Sequence, residues 1–222
     1  MAFMIRTLYE RYLLDQVNNS PEQIPEHITI ILSGSDLLDQ KGEDNFRSFI
    51  TWCKKLGIAT ISAYIDVLDT KEELQIEMTS MLTTGMQEML RSLTDDVGFF
   101  IYDENGNLKE KREGTSLTVH ISVGFGGRAE ITKAINSILS DVKNGKIQPE
   151  EIDESVIESH LLVQEEPDLI IRAGGKHLSD FLLWQSAYSE LYFTDVNWHD
   201  LRKIDLLRVI RDFQKRQRRF GK

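Results

Sequence analysis

Short apolar runs alternate with amphipathic segments along the whole chain, and this alternation most constrains the fold. "HITIIL" (27–32), "IATISAYI" (58–65), "VGFFIYD" (97–103), "SLTVHISV" (116–123) and "DLIIRAGG" (168–175) cluster β-branched residues in short stretches, which predicts buried strands. Between them, "NFRSFITWCKKLG" (45–57) reads as a helix stopped by Gly57. "TKEELQIEMTSMLTTGMQEMLRSL" (70–93) reads as a helix opened by a Thr70/Glu73 capping box, and "RAEITKAINSILSDVKNG" (128–145) as one ended at Gly145. Strands separated by helices of this length pair in parallel, so the chain is expected to be α/β, with a central, mostly parallel sheet flanked by helices. With 222 residues, no internal repeat and no linker, residues 1–222 are expected to form a single domain. It would have an N-terminal helix and linker over 1–25 and a basic C-terminal helix and tail over 201–222.

Three segments are less constrained. Residues 3–17 predict a helix in which Phe3, Leu8, Tyr12 and Leu13 can share a packing face; a contact with a subunit or a membrane surface would use the same face. Met78, Met81, Met86 and Met89 fit either ordinary core or the wall of an apolar cavity. "LLWQSAYSELYF" reads as a helix running into a strand, and the turn Glu104-Asn105-Gly106 is expected to lie between the strands at 97–103 and 116–123.

Composition narrows the function classes. The chain is 41% hydrophobic and 28% charged with only 4 Pro, as in an ordinary globular protein. No apolar run approaches the roughly 20 residues that span a bilayer, and no basic region followed by an apolar one opens the chain. One cysteine, Cys53, cannot form an internal disulfide, so a cytoplasmic location is expected. A net charge of −10 argues against nucleic-acid binding. The charge is uneven: from Arg202 to Lys222 there are nine Lys/Arg against Asp205 and Asp212, leaving −17 over the rest. Such a tail suits a solvated helix face, an acidic partner or a phosphate.

Two Gly-rich turns at strand ends, "VGFGGRAE" (123–130) and "IRAGGKHLSD" (171–180), pair close backbone approach with a cation, which suits an anion but also serves a plain tight turn. Arg172 lies at the end of an apolar strand, where an unpaired charge would be costly; Lys176 and Ser179 could add donors. The five histidines are scattered and a single cysteine excludes a thiolate cage. Neither a Gly-x-Ser-x-Gly elbow, a P-loop nor a Gly-x-Gly-x-x-Gly fingerprint occurs.

From "DLIIRAGGKHLSDFLLWQSAYSELYFTDVNW" through "FQKRQRRFG", and in "LTVHISVGFGGRAEI" and "PEHITIIL", the sequence resembles the cis-prenyltransferase family of undecaprenyl and dehydrodolichyl diphosphate synthases. The resemblance implies a dimer-forming α/β fold with a hydrophobic tunnel. It also implies condensation of isopentenyl diphosphate onto an allylic diphosphate with Mg2+, giving Z-polyprenyl diphosphates. Magnesium and arginines would neutralise the diphosphate leaving group.

The family's first-strand motif, His-x-x-x-x-Met-Asp-Gly-Asn-x-Arg-Trp, falls on His27 to Leu38. Ser33 stands where the motif has its catalytic Asp, Ser35 where it has Asn, and Leu37 where it has the diphosphate-binding Arg; Gly34 survives. A hydroxyl is a poor substitute for a carboxylate on magnesium, and the lost arginine leaves a diphosphate without counter-charge. At the isopentenyl diphosphate site Arg172 and Ser179 match the family, while an intervening Arg is deleted and Lys176 replaces an acid. Glu190 matches a Glu that assists metal binding. Arg219 and Gly221 match the Arg-x-Gly tail that reaches the other subunit's active site.

This pattern resembles the non-catalytic subunits of heteromeric cis-prenyltransferases, the Nogo-B receptor type, to which "FITWCKKLGIATISAY" and the Arg-x-Gly-Lys ending are also similar. The opening "LYERYLLDQV" is archaeal in character, and the chain departs from that type in having no transmembrane segment and keeping "SDFLLWQ". The resemblance implies a subunit that is inactive alone and supplies Arg219 and Gly221 in trans to a catalytic paralogue holding the Mg2+. Two alternatives stand beside it: a self-sufficient homodimeric synthase with an altered first site, and a scaffold that binds a prenyl lipid without chemistry.

Overall fold

The computed structural model describes residues 2–67, 72–174 and 183–216. Seven strands form one sheet: β1 (His27–Ser33), β2 (Thr60–Asp66), β3 (Val97–Tyr102), β4 (Leu108–Arg112), β5 (Leu117–Val123), β6 (Leu169–Ala173) and β7 (Glu190–Thr194). Their spatial order is β4-β3-β5-β2-β1-β6-β7. Every pairing is parallel except β3 with β4, as the intervening helices require. The helices are α1 (Ala2–Asn18), α2 (Gln40–Lys55), α3 (Glu72–Arg91), α4 (Gly127–Lys143), α5 (Glu154–Ser159) and α6 (Lys203–Lys215).

Alternate side chains of each strand face opposite sides, so the register separates two layers. Ile28, Ile30 and Leu32 of β1 and Ile61, Ala63 and Ile65 of β2 enter the main core with Phe46 and Phe49 of α2, Leu82 and Met86 of α3, and Leu207 and Ile210 of α6. The opposite side carries a smaller apolar cluster, Ile31, Tyr64, Val163 and Ile170, among the buried polar side chains of His27, Thr29 and Ser62. Asp168 ties β1 to β6 at their N-terminal ends: its Oδ2 accepts from the backbone N of Glu26 at 2.7 Å and of His27 at 3.1 Å.

Four details differ from expectation. The strands at 97–103 and 116–123 do not form a hairpin. The turn at Glu104–Gly106 leads into β4, whose sequence LKEKR lacks apolar alternation because it lies at the exposed edge. In α1 the buried positions are Leu13 and Val17 with Tyr9 packed beside them, whereas Leu8 and Tyr12 are 59% and 54% exposed. The helix is apolar nearly all round, and packing against α6 selects the face. Residues 183–188 form turns rather than a helix. Met86 and Met89 are core, Met81 is exposed, and Thr70 of the expected capping box lies outside the described residues.

Candidate functional site

Ligands of parallel α/β sheets bind beyond the C-terminal ends of the strands. Here that edge brings together Ser33 of β1, Asp66 of β2 and Arg172 of β6: Ser33 lies opposite Asp66, and Ile31, two residues earlier, lies between β2 and Arg172.

After β1 the chain makes a single 3-10 turn, Gly34–Asp36. The Asp36 carboxylate accepts from the Ser33 backbone N at 2.9 Å, so it is spent on capping its own turn. The Ser33 and Ser35 hydroxyls are hydrogen-bonded to each other at 2.9 Å. Gly34 is buried tightly: a Cβ there would come within 2.9 Å of Leu82 Cδ1 and 3.3 Å of the Asp66 carbonyl. Leu37 is 2% exposed, part of the main core. The start of α2 locks this arrangement. Asp39 accepts from the Gly42 backbone N at 2.8 Å, and Trp198 Nε1 donates to the Gly42 carbonyl at 3.0 Å.

The side chains at this strand end therefore do not fit a magnesium site. A hydroxyl stands at the end of β1, the Asp36 carboxylate accepts from the Ser33 backbone, Leu37 faces the core, and Asp66 beside Ser33 is not joined by a second and third metal-ligating side chain among the described residues. Beside the ends of β3 and β5, a cleft of about 280 Å3 is lined by Thr79, Ser80, Thr83 and Gln87 of α3 with Asp103 and Glu104. The apolar face of α3 is filled by its own core packing: Leu82, Met86, Met89 and Leu90 lie against the sheet.

Arg172 keeps its signature. It is the penultimate residue of β6, and its Nε and Nη1 are buried with no hydrogen-bond partner among the described residues. A half-buried guanidinium with unspent donors is suited to a planar, multiply charged anion. Gly174 follows with φ +66°, a conformation suited to glycine, and its N donates to the Thr194 carbonyl at 3.3 Å. Lys176 and Ser179 lie outside the described residues, as do Arg219 and Gly221.

Glu190 does not join this group. It opens β7 opposite Leu169, at the other end of the sheet from Ser33, while Arg172 faces Phe193. Its Oε2 accepts from Arg216 Nη1 at 2.7 Å, and Arg216 is the last described residue before the C-terminal tail. Glu190 and Arg216 thus share one corner. The basic charge of α6 is largely matched within the described residues: Arg202 and Arg208 pair with Asp205, Lys203 with Glu10, and Arg211 with Asp212.

The Gly-rich turn at 123–130 builds a helix start. Gly126 caps α4, and Glu130 in its first turn is 3% exposed, accepting from the Leu162 backbone N at 2.9 Å. Sequence reading passed over Glu130 and its partner Gln185; the signal available was an acid on the helix face that carries the buried Ala134 and Ile138.

The family model for putative undecaprenyl diphosphate synthases matches residues 37–221, from Leu37 through the C-terminal tail. The chain belongs to the undecaprenyl diphosphate synthase family, the cis-prenyltransferases. Among similar cis-prenyltransferases is a tritrans,polycis-undecaprenyl-diphosphate synthase (geranylgeranyl-diphosphate specific) of Thermococcus kodakarensis, 34% identical over 96% of this chain and 92% of the relative. The synthase of Sulfolobus acidocaldarius with GGDP specificity is also 34% identical, over 98% and 95%. Among solved structures, lavandulyl diphosphate synthase from Lavandula x intermedia, in complex with dimethylallyl diphosphate, superposes with a TM-score of 0.75 at 26% identity. It is matched over 90% of this chain and all of that one. A probable undecaprenyl diphosphate synthase from Campylobacter jejuni shares the fold, with a TM-score of 0.70 at 23% identity over 89% of this chain and 99% of that one. The match to the family model starts directly after the 3-10 turn Gly34–Asp36.

Proposed function

We propose that this chain is the non-catalytic subunit of a two-chain cis-prenyltransferase, which condenses isopentenyl diphosphate onto an allylic diphosphate. One observation carries the reading: the strand end that would do the chemistry holds Ser33 in place of a carboxylate and a fully buried Leu37 in place of an arginine. In this reading the end of β1 supplies neither the carboxylate that would hold magnesium nor the arginine that would neutralise a leaving diphosphate.

The remaining function is offered from the opposite corner, where Arg216 bridges Glu190 to the start of the tail. In this reading Arg219 and the Gly221 backbone enter the partner's site. Arg supplies bidentate contacts to phosphate, and Gly allows the backbone to approach. Glu190 travels with the tail, so its contribution is to the partner's pocket and not to the chain's own.

A second reading, a homodimeric synthase acting alone, is favoured by the relatives' names, which are those of complete synthases matched over nearly their whole length. Incubating the purified chain with geranylgeranyl diphosphate, isopentenyl diphosphate and Mg2+ separates the two. The subunit reading predicts no elongation by this chain alone. It predicts elongation when the chain is co-purified with a family member that keeps Asp-Gly-Asn-x-Arg; elongation without a partner would overturn it.

A further inference from the structure

Helix α1 carries two apolar faces, and the fold covers one of them. Tyr9, Leu13 and Val17, spaced four residues apart, pack against α6 and the main core. On the opposite side Met4, Ile5, Leu8 and Tyr12 stand 65%, 61%, 59% and 54% exposed, in one stripe over the first three turns. Single exposed apolar side chains are ordinary, but four on one helix face make a patch that a partner is needed to cover.

The charges around the stripe are uneven. Arg11, three residues after Leu8, is exposed beside it, and neither Arg6 nor Arg11 makes an ion pair among the described residues. Glu10, the acid within the same turns, is taken by Lys203 of α6 at 3.0 Å. The other flank is aromatic and basic. Tyr12 stacks on Tyr9 with ring centroids 6.3 Å apart, and the guanidinium of Arg208, which also pairs with Asp205, lies 5.2 Å from the Tyr9 ring centroid. An apolar stripe edged by tyrosine and arginine suits a lipid–water interface: the aliphatic side chains enter the acyl boundary, the tyrosines sit at headgroup level and the cations meet anionic headgroups. No described helix is long and apolar enough to cross a bilayer, so α1 can lie on one but not span it.

The placement of α1 gives this surface a direction. The helix runs alongside α6 in the same sense: Glu10 meets Lys203 at the start of α6, and Gln214 near its end donates to the Val17 carbonyl at 2.9 Å. The start of α6 follows the turn Trp198–Asp200, where His199 Nε2 is hydrogen-bonded to Asp39, the residue that caps α2 just after the Ser33 strand end. The exposed turns of α1 therefore lie towards that end of the molecule.

We infer that the Met4–Ile5–Leu8–Tyr12 face of α1 is a docking surface for an anionic bilayer, and that docking brings the strand end carrying Ser33 and Gly34 near the lipid. A second copy of the chain fits this face less well, because four side chains on one convex helix offer much less than the roughly 800 Å2 per partner that a stable pair buries. The inference holds for either reading of the chain's function.

Flotation of the full chain with vesicles of phosphatidylglycerol and phosphatidylcholine in equal parts, and of phosphatidylcholine alone, tests it. The wild type should float with the mixed vesicles and bind the neutral ones more weakly. Ile5→Gln combined with Leu8→Gln should lower partition at least tenfold; both residues are exposed, so its thermal unfolding should match the wild type. Arg11→Gln should weaken binding about fivefold at low salt and have no effect at high salt. Leu139→Gln, which alters an equally exposed leucine of α4, should stay within twofold of wild type. As a second readout, Leu8→Cys carrying an environment-sensitive dye should shift its emission to the blue on the mixed vesicles, since the native Cys53 is buried.

A wild type that does not float, equal flotation of the Ile5→Gln/Leu8→Gln variant, or equal binding to phosphatidylcholine alone overturns the inference. If that variant instead loses a dimer in sedimentation while its flotation is unchanged, the stripe belongs to a second copy, and the inference is overturned as well.

Discussion

At the scale of single residues, the decisive change is from charge to packing. Leu37 occupies its position as core, so reintroducing an arginine there should not rebuild a diphosphate site. Leu37→Arg is expected to cost about 3 kcal/mol of stability, because a buried aliphatic side chain is replaced by a charge without a partner. Urea unfolding measures it, and a change below 1 kcal/mol would show that the position opens to solvent. His27 gives a second prediction. Burial, with His120 beside it, pushes its pKa from 6.5 down to about 4, so the folded state refuses a proton that the unfolded chain accepts. Stability should therefore be level above pH 6.5 and fall as pH drops from 6.5 towards 4, by about 3 kcal/mol in all from this group. Urea unfolding against pH, compared with His27→Gln, isolates the contribution; a variant with the same slope as wild type would contradict it. Residue identities show Ser33, Ser35 and Leu37 at the end of the first strand. They could not show that Asp36 is spent on the Ser33 backbone, because that depends on the 3-10 turn.

At the scale of elements, patterns with a strong period were legible and those set by neighbours were not. The five apolar strands and the long helices follow from β-branched runs and helical spacing. Strand β4 was hidden because an edge strand needs no apolar face, and the face of α1 was hidden because apolar residues surround it. The α1 assignment can be checked: Leu13→Ala should cost 2–5 kcal/mol, while Leu8→Ala and Tyr12→Ala should each stay within about 0.5 kcal/mol. Comparable losses at Leu8 and Leu13 would mean that the helix packs by a different face. The β3–β4 hairpin is held to α3 by the Arg91–Glu110 ion pair and by Arg112. Arg112 donates from Nη2 to the carbonyls of Leu90, Thr94 and Val97 at 3.3, 3.2 and 2.9 Å, and its guanidinium lies 5.0 Å from the Phe99 ring. Arg112→Met should destabilise by about 3 kcal/mol, since it leaves several carbonyls of the α3 terminus without a donor; thermal unfolding reads the loss.

At the scale of the whole molecule, the sheet has two ends with different fates. The C-terminal strand edge gathers Ser33, the buried Gly34 and Arg172, whose Nε and Nη1 have no hydrogen-bond partner among the described residues. The other end gathers Glu190 and Arg216. The family was readable from residue order alone. The separation of Glu190 from Arg172 was not: both belong to adjacent parallel strands, and only the register shows that they stand at opposite ends. If the chain works by presenting its tail, its value to the enzyme lies in Arg219 and not in its own pocket. The most direct measurement is turnover of isopentenyl diphosphate by this chain paired with a catalytic family member, with Arg219→Ala introduced here and the partner left wild type. The account predicts a fall of about a hundredfold or more with the complex intact, in line with removing a charge-assisted contact to a transferring diphosphate. Undiminished turnover by the Arg219→Ala pair would contradict it.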